Sequence, residues 1–313
     1  MKSENAKTTK STLGVDFGGT GTKVRFGEEF KSYESFENET EDKIIQFLQD
    51  AVSSSDQGFQ ALGVALACTM VPAIESTFRK RRRISKHSTK FANLSQFENI
   101  DILEERWSNK LHLPVFILND GEAAAIAEHE VGAAQGYNNV MVMTLGTSIG
   151  VGFIFDGNLH IGSYTSRASH ILLDPNEEWC IGENHRGCWK VLASKDSLEK
   201  LAKKMGLPPD AVKVTAMAED NNMKARLCYE YYAEKVAIGI ANIVGAVPID
   251  CVVIGGGIAQ AGDLLLQPLK ERLRKGNLLD HFVASALEIR RAECPEPVVL
   301  GAQLYAEKRL AEL

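Results

Sequence analysis

An Asn-Asp pair, Asn119 and Asp120, directly follows the short apolar run 115–118 and precedes an Ala- and Glu-rich segment. The run predicts a buried strand, and the segment after it predicts a helix. A carboxylate at the C-terminal end of a parallel strand is well placed to accept a proton from a substrate hydroxyl. Asn-Asp-Gly is also an ordinary turn sequence. The pair alone therefore leaves both interpretations open.

Three glycine-rich segments have the composition of phosphate-binding loops. Glycine lacks a Cβ, so the backbone N–H groups of such loops can approach an anion closely. In the first, DFGGTGTK, Asp16 is placed to hold Mg²⁺ or its water shell, and the expected nucleotide contacts come from Gly18, Gly19, Thr20, Thr22 and Lys23. The second, LGTSIG, contributes Gly146 and Thr147, and the third, VVIGGGIA, contributes Gly255, Gly256 and Gly257.

None of these loops matches a common nucleotide motif by itself. The chain has no G-x-x-x-x-G-K-[ST] segment, and Gln260 stands where G-x-G-x-x-G requires its last glycine. Each loop could simply be a tight hairpin or a strand end. Their order along the chain is more specific than any one of them.

The elements around these loops alternate between strand and helix patterns. The first strand begins near Leu13, the apolar run 61–67 predicts a strand buried on both faces, and 222–246 predicts a long helix. Such alternation favours a mostly parallel α/β architecture. Segments 13–26 and 140–155 share one pattern, an apolar strand, a Gly-Thr turn and a second apolar strand. This indicates one hairpin in each of two domains, although two unrelated hairpins would look similar.

Composition limits the class of protein. The chain has 313 residues, a net charge of −6, 44% hydrophobic and 24% charged residues, which is typical of a soluble globular protein of about two domains. Six unevenly spaced cysteines indicate reduced thiols. Residues 1–12 lack the apolar core of a signal peptide, and the longest apolar stretch, 236–249, is too short for a membrane span. We therefore expect a cytoplasmic protein that acts on neither nucleic acid nor membranes.

Taken together, these motifs resemble the ROK family of bacterial sugar kinases and sugar-responsive repressors. The segments that carry the resemblance, besides the first two loops, are FILNDGEAAAIAE (116–128), VVIGGGIAQAGDLLLQPL (252–269) and LGAQLYAE (300–307). It implies an α/β fold of two ribonuclease-H-like domains of the actin/hexokinase type flanking a nucleotide cleft. The expected domains are 1–118 and 119–300, with the C-terminal helix 301–313 packing on the first.

The resemblance also implies an activity, ATP- and Mg²⁺-dependent phosphorylation of a sugar hydroxyl. Asp120 would be the catalytic base, Asn119 would bind a neighbouring hydroxyl, and His170 would bind the sugar. Polyphosphate is an alternative donor, and a homodimer is expected. A non-catalytic sugar-sensing protein is the alternative function.

Two positions depart from the family pattern where kinases carry sugar-binding glutamates. Arg167 and Lys190 stand there instead. Two cations would suit an anionic acceptor, one with a carboxylate or a phosphate. Loss of sugar binding, or side chains that point elsewhere, are the open alternatives.

Family members often hold a structural zinc with the pattern H-x9-C-x-C-x4-C. His170 and Cys180 keep their spacing, Gly182 replaces the second cysteine, and Cys188 arrives one residue late. His185 lies between them, so His170, Cys180, His185 and Cys188 form a possible Cys₂His₂ site. Loss of the metal is the alternative.

A basic run, Arg79–Arg83, is the remaining unusual feature. Such a run is typically a solvated loop. Binding of an anion such as polyphosphate is the alternative interpretation.

Overall fold

The computed structural model describes residues 12–18, 21–36, 39–54, 58–72, 82–84, 97–161, 165–180, 185–275 and 278–313. The chain divides into two compact units, Met1–Ala123 with Val298–Leu313, and Ala124–Pro297. Within the described ranges, no helix is both long and apolar enough to cross a membrane.

The first unit is built on a five-stranded mixed sheet. Its elements in chain order are β1 (Thr12–Gly18), β2 (Gly21–Phe26), β3 (Glu29–Tyr33), α1 (Glu41–Ser53), β4 (Ala61–Leu66), β5 (Met70–Pro72), β6 (Arg82–Ile84), α2 (Leu103–Leu111), β7 (Val115–Asn119) and α3 (Asp120–Val131). The strand order is β3-β2-β1-β4-β7, and β5 pairs separately with β6.

The second unit holds another five-stranded sheet. Its elements are β8 (Val140–Leu145), β9 (Ile149–Phe155), β10 (Asn158–Leu159), α4 (Trp189–Ala193), α5 (Lys195–Lys204), α6 (Ala211–Glu219), α7 (Met223–Val244), β11 (Cys251–Gly255), α8 (Asp263–Lys275), α9 (His281–Ala286) and β12 (Glu288–Arg291). Here the order is β10-β9-β8-β11-β12. The final helix, α10 (Pro297–Ala311), belongs almost entirely to the first unit.

The two sheets have the same topology. In each, the first strand pairs antiparallel with the second and parallel with the fourth, and the fourth pairs parallel with the fifth. The hairpins expected at 13–26 and 140–155 are β1–β2 and β8–β9. The predicted α/β class, with two ribonuclease-H-like sheets, is confirmed.

Local sequence explains where the helices begin. Thr40, Asp210 and Asn222 precede α1, α6 and α7, and each side chain accepts a hydrogen bond from a backbone N–H of the first turn. These caps satisfy donors that have no partner within the helix. In α1, the buried residues Ile44, Ile45 and Leu48 lie on one face, as the apolar spacing predicts.

Helix α10 lies directly on the backbone of the first sheet. A Cβ added at Gly14 would overlap the Val299 carbonyl, and one at Gly63 would overlap the carbonyl of Ala302. Gly301 approaches the first turn of α3 in the same way, against the Ala123 carbonyl. Glycine allows this close approach of the two backbones because it has no side chain to keep the helix at a distance. The last helix thus supports both the sheet and the turn that carries Asp120.

Candidate active site and metal centre

Asp120 is the first residue of α3 and follows the last residue of β7. Its Oδ1 accepts the Gly121 N–H at 2.8 Å. Burial of the carboxyl raises the pKa of Asp120, and the nearby charge of Glu122 raises it further, while the Gly121 N–H and the Asn119 side chain oppose the rise. A carboxylate with a raised pKa is a better proton acceptor than an ordinary aspartate.

Asn119 fixes the turn before Asp120. The residue is buried, its Nδ2 donates to the Cys68 carbonyl at 2.6 Å, and its Oδ1 accepts the Gly121 N–H at 2.8 Å. The amide therefore ties the end of β7 to the loop that follows β4. The predicted contact with a substrate hydroxyl would have to share the amide with these two bonds.

Among the described residues, the outer edge of β7 is bound by side chains rather than by another strand. Three alternate backbone N–H groups donate to them: Val115 to Ser108 Oγ at 2.9 Å, Ile117 to Glu104 Oε2 at 2.9 Å, and Asn119 to Glu122 Oε2 at 3.0 Å. These bonds satisfy donors that an edge strand would otherwise leave without a partner. The sequence analysis missed all three acceptors. The i, i+4 spacing of Glu104 and Ser108 on α2 was a signal, but only the topology shows that β7 is an edge.

In the first loop, Asp16 and Lys23 are directly opposite each other in the β1–β2 register, and both are partly exposed. Opposite residues in an antiparallel pair share one face of the sheet. Gly18 is opposite Gly21 at the last position of this pairing. Gly19 and Thr20 lie outside the described part of the chain.

Thr22 is on the other face of this hairpin. It is opposite Phe17, whose ring packs against Phe36, Phe47 and Trp107. The Thr22 side chain is buried, and its hydroxyl has no hydrogen-bond partner among the described residues. Of the described side chains proposed for this loop, Asp16 and Lys23 are therefore the accessible ones.

The second and third glycine loops meet at one edge of the second sheet. β8 and β11 are parallel neighbours, so their C-terminal ends lie together. Gly256 has a φ of +85°, and a Cβ there would overlap the backbone of Leu145, which precedes Gly146. Gly146 is held by two backbone bonds, from its N–H to Ser148 O at 3.0 Å and from the Lys195 N–H to its carbonyl at 2.8 Å.

Four residues of these two loops are exposed at that edge: Thr147, Ser148, Gly256 and Gly257. A Cβ at Gly257 would meet nothing within 4 Å, whereas Gly255 is buried at the end of β11 and packs near Ala292. The paired loops therefore present backbone and two hydroxyl groups, those of Thr147 and Ser148, as a phosphate or a flat ring requires.

Glu128 ties the segment that follows β12 to the chain just after α3, a role that was not predicted from the sequence. Its carboxylate is fully buried and accepts backbone N–H groups from Ala133, Glu293 and Cys294 at 2.8 to 3.1 Å. The chain just before Glu293 is bonded to β11, since the Ala292 N–H donates to Ile254 O at 2.9 Å. A buried carboxylate with several N–H partners therefore fixes Glu293 and Cys294, which follow the residue bonded to β11.

The four proposed metal ligands lie together in the second unit. One ligand atom from each of His170, Cys180, His185 and Cys188 is within 4.8 Å of every other. His170 Nδ1 is 3.2 Å from His185 Nε2 and 3.9 Å from Cys180 Sγ. Ligands about 2.0 to 2.3 Å from a tetrahedral zinc are roughly 3.3 to 3.8 Å apart. The donor set and its spacing therefore fit a zinc ion.

The loop around this cluster is held by a few backbone bonds. The Cys180 N–H donates to His185 O at 3.0 Å, and the Trp189 N–H donates to Ile171 O at 2.9 Å. Cys180 and Cys188 are buried, while His170 and His185 are partly exposed. A metal bound here would cross-link a segment with little regular secondary structure.

Arg167 and Lys190 flank the cluster along the chain. Arg167 lies in a short 3₁₀ helix, Thr165–His170, which ends at the first ligand, and Lys190 is two residues beyond Cys188 in α4. Both side chains are partly exposed, and the two elements contact each other. The basic run Arg79–Arg83 is described only in part: Arg83 lies 3.5 Å from Asp101 in an ion pair, and Arg79 to Arg81 fall outside the described residues.

Comparison with known proteins gives relatives of two kinds. The glucokinase of Streptomyces coelicolor is 25% identical, over 84% of this chain and 87% of its own length. The xylose repressor of Bacillus subtilis is 26% identical, over 58% of this chain and 48% of the repressor.

Solved structures and a family model agree with these relatives. The ROK hexokinase of Thermus thermophilus is 25% identical with a TM-score of 0.73, and the match covers 97% of this chain and all of that one (100%). The model of the ROK family matches residues 12–308. With its two sheets, three glycine loops and Asn-Asp turn, this chain belongs to the ROK family.

Proposed function

We propose that this protein is an ATP-dependent sugar kinase. Asp120 carries the proposal, because a carboxyl with a raised pKa stands at the C-terminal end of a parallel strand, where the turn is fixed by Asn119. Relatives named as a glucokinase and a hexokinase support the same function.

In the proposed reaction, the oxygen of a sugar hydroxyl attacks the γ-phosphorus of ATP, and the bond from that phosphorus to the bridging oxygen breaks. ADP leaves with the electron pair of the broken bond, and the hydroxyl proton passes to Asp120. Such transfers depend on positioning and on neutralisation of charge more than on covalent catalysis. The buried surroundings of Asp120 suit the single proton transfer.

Residues of the glycine loops are proposed to bind the nucleotide. Asp16 would hold Mg²⁺ or its water shell, and the ion would supply neutralisation of phosphate charge. Lys23 would add a positive charge, and Thr147 with the exposed Gly256 would offer a hydroxyl and backbone contacts. Gly18, by its register with Gly21, would keep the first turn tight.

We also propose that the acceptor is anionic and that the cluster holds a structural zinc. Arg167 and Lys190 support the first proposal because they are partly exposed cations on two contacting elements. The separations among the four ligand atoms support the second.

The test is ADP release from Mg-ATP with glucose, N-acetylmannosamine, glucuronate and glucosamine phosphate as acceptors. We expect turnover with at least one of them, and a loss of a hundredfold or more in Asp120→Asn. Because the carboxylate form accepts the proton, the rate should rise with pH through the raised pKa of Asp120. Turnover unchanged in Asp120→Asn would contradict the mechanism.

A sugar-sensing protein is the second candidate, and the xylose repressor relatives favour it. The same assay separates the two. A sensor would bind a panel sugar, as detected by calorimetry, and would release no ADP above the background of ATP alone.

A further inference from the structure

Glu122 is a buried carboxylate two residues after Asp120. Only 1% of it is exposed, and its Oε2 accepts the Asn119 N–H at 3.0 Å. That N–H is the last donor along the outer edge of β7. A buried donor left without a partner destabilises the fold. Glu122 therefore holds the strand end from which the Asp120 side chain projects.

The charge of Glu122 also acts on Asp120. It raises the pKa of Asp120 in addition to the larger effect of burial, against the Gly121 N–H and the Asn119 side chain. Charged or titratable groups on the neighbouring elements make other contacts: Glu104 with the Ile117 N–H, Cys68 Sγ with Met70, Glu307 with Thr12, and Arg309 with the rings of Phe116 and Tyr305.

We propose that Glu122 is a positioning residue for Asp120, which it places by bonding the Asn119 N–H across the strand-to-helix turn. The inference rests on the proposed role of Asp120 as the base. The Glu122 carboxylate would then fix the geometry of the turn and also increase the basicity of Asp120.

The same turn is also restrained by Asn119, through Cys68 and Gly121. Asn119 restrains it from the strand side, and Glu122 does so from inside the first turn of α3. A solvent-exposed acid at this position would interact with the helix dipole alone. The burial of Glu122 and its bond to the strand distinguish it from such a residue.

The experiment compares Glu122→Gln and Glu122→Ala, with Glu130→Gln as the control. Glu130 is on the same helix, but its side chain is half exposed. The kcat, the KM for ATP and the pH profile are measured with the panel sugar that gives most ADP. Gln keeps an oxygen that can accept the Asn119 N–H but removes the charge, whereas Ala removes both.

We expect Glu122→Ala to lower kcat tenfold or more with the KM for ATP within twofold of wild type. Glu122→Gln should recover most of kcat, and the acid limb of its profile should move to lower pH, because loss of a neighbouring negative charge lowers the pKa of Asp120. Glu130→Gln should match the wild type in kcat and in the position of the acid limb.

A kcat of Glu122→Ala like that of the wild type, or a Glu122→Gln variant that recovers none of the loss seen in Glu122→Ala, would overturn the inference. An Asp120→Asn variant measured in parallel separates this failure from failure of the kinase mechanism. If Asp120→Asn is inactive while Glu122→Ala keeps the kcat of the wild type, Asp120 remains the base and only the role of Glu122 is rejected.

Discussion

At the scale of single residues, the two faces of one hairpin decide which side chains a ligand can reach. Asp16 and Lys23 are partly exposed on one face, whereas Thr22 on the other is buried without a hydrogen-bond partner among the described residues. Side chains alternate between faces of a strand, so neighbouring residues of a motif separate. The motif DFGGTGTK is visible in the sequence. Which of its side chains share a face of the hairpin is known only from the strand register in the structure.

Arg167 and Lys190 lead to a prediction about substrate choice. Charge reversal at both, Arg167→Glu with Lys190→Glu, should lower kcat/KM for glucuronate by roughly a hundredfold. The reason is the loss of two charge-assisted hydrogen bonds of about 1.5 kcal/mol each, where 1.4 kcal/mol is tenfold. The measurement is ADP release with glucuronate and with glucose.

The matched control reverses two exposed lysines of the same unit, Lys203→Glu with Lys224→Glu. This control makes the same change in net charge, and kcat/KM for glucuronate and for glucose should stay unchanged. Equal losses on glucuronate in the two double variants would argue against an anion site at Arg167 and Lys190.

At the scale of elements, the active-site turn and the metal loop are positioned by different means. The turn is held by a strand edge, a helix start and the close contact of Gly301 with Ala123. The described residues of the loop from His170 to Cys188 form few regular elements, and its four ligand atoms converge instead. The spacing of these four residues in the sequence was enough to suggest the cluster. The edge bonds of β7 were not predictable, because they depend on which strand lies outermost.

Removal of zinc should loosen this loop. We expect purified protein to contain about one zinc per chain by elemental analysis, and a chelator to expose a trypsin site at Arg186. That side chain is now bonded to the carbonyls of Glu177 and Asn176. The physical reason is that a metal with four ligands cross-links a segment that has little other support.

A pair of cysteine variants controls this experiment. Cys180→Ser should reduce bound zinc to near zero and open the same trypsin site, whereas Cys294→Ser, outside the cluster, should change neither. Protein that is free of zinc, and whose proteolysis is unaffected by added zinc, would show that the metal has been lost from this chain.

At the scale of the whole molecule, the two units repeat one sheet topology but differ in how the chain builds them. The second unit is one continuous segment, whereas the first needs residues from both ends of the described chain. The repeated hairpin pattern in the sequence indicated a hairpin in each of two domains, and both sheets contain it. Packing of α10 on the first sheet depends on Gly14 and Gly63, and nothing in the local pattern around these glycines identifies the partner helix.

This discontinuity predicts the effect of deleting the last helix. A chain that ends at Glu296 should lose amide protection in β1 and β4 by hydrogen exchange, while β8 and β11 stay protected. Val299 and Tyr305 are buried in the first unit, and together they contribute about 3 to 6 kcal/mol. A domain has a total stability of about 5 to 15 kcal/mol, so this loss and the uncovered glycine backbone should unfold the first unit.

A chain that ends at Leu310 is the control, because it keeps the buried residues of α10 and removes only exposed ones. Its exchange should match the full chain in both units. If β1 and β4 stayed protected in the chain that ends at Glu296, the first sheet would not depend on α10. Loss of protection in β8 and β11 as well would show that the second unit cannot fold without the first. Because the second sheet has its own core around Met141, Val252 and Ile254, we expect its protection to survive the deletion.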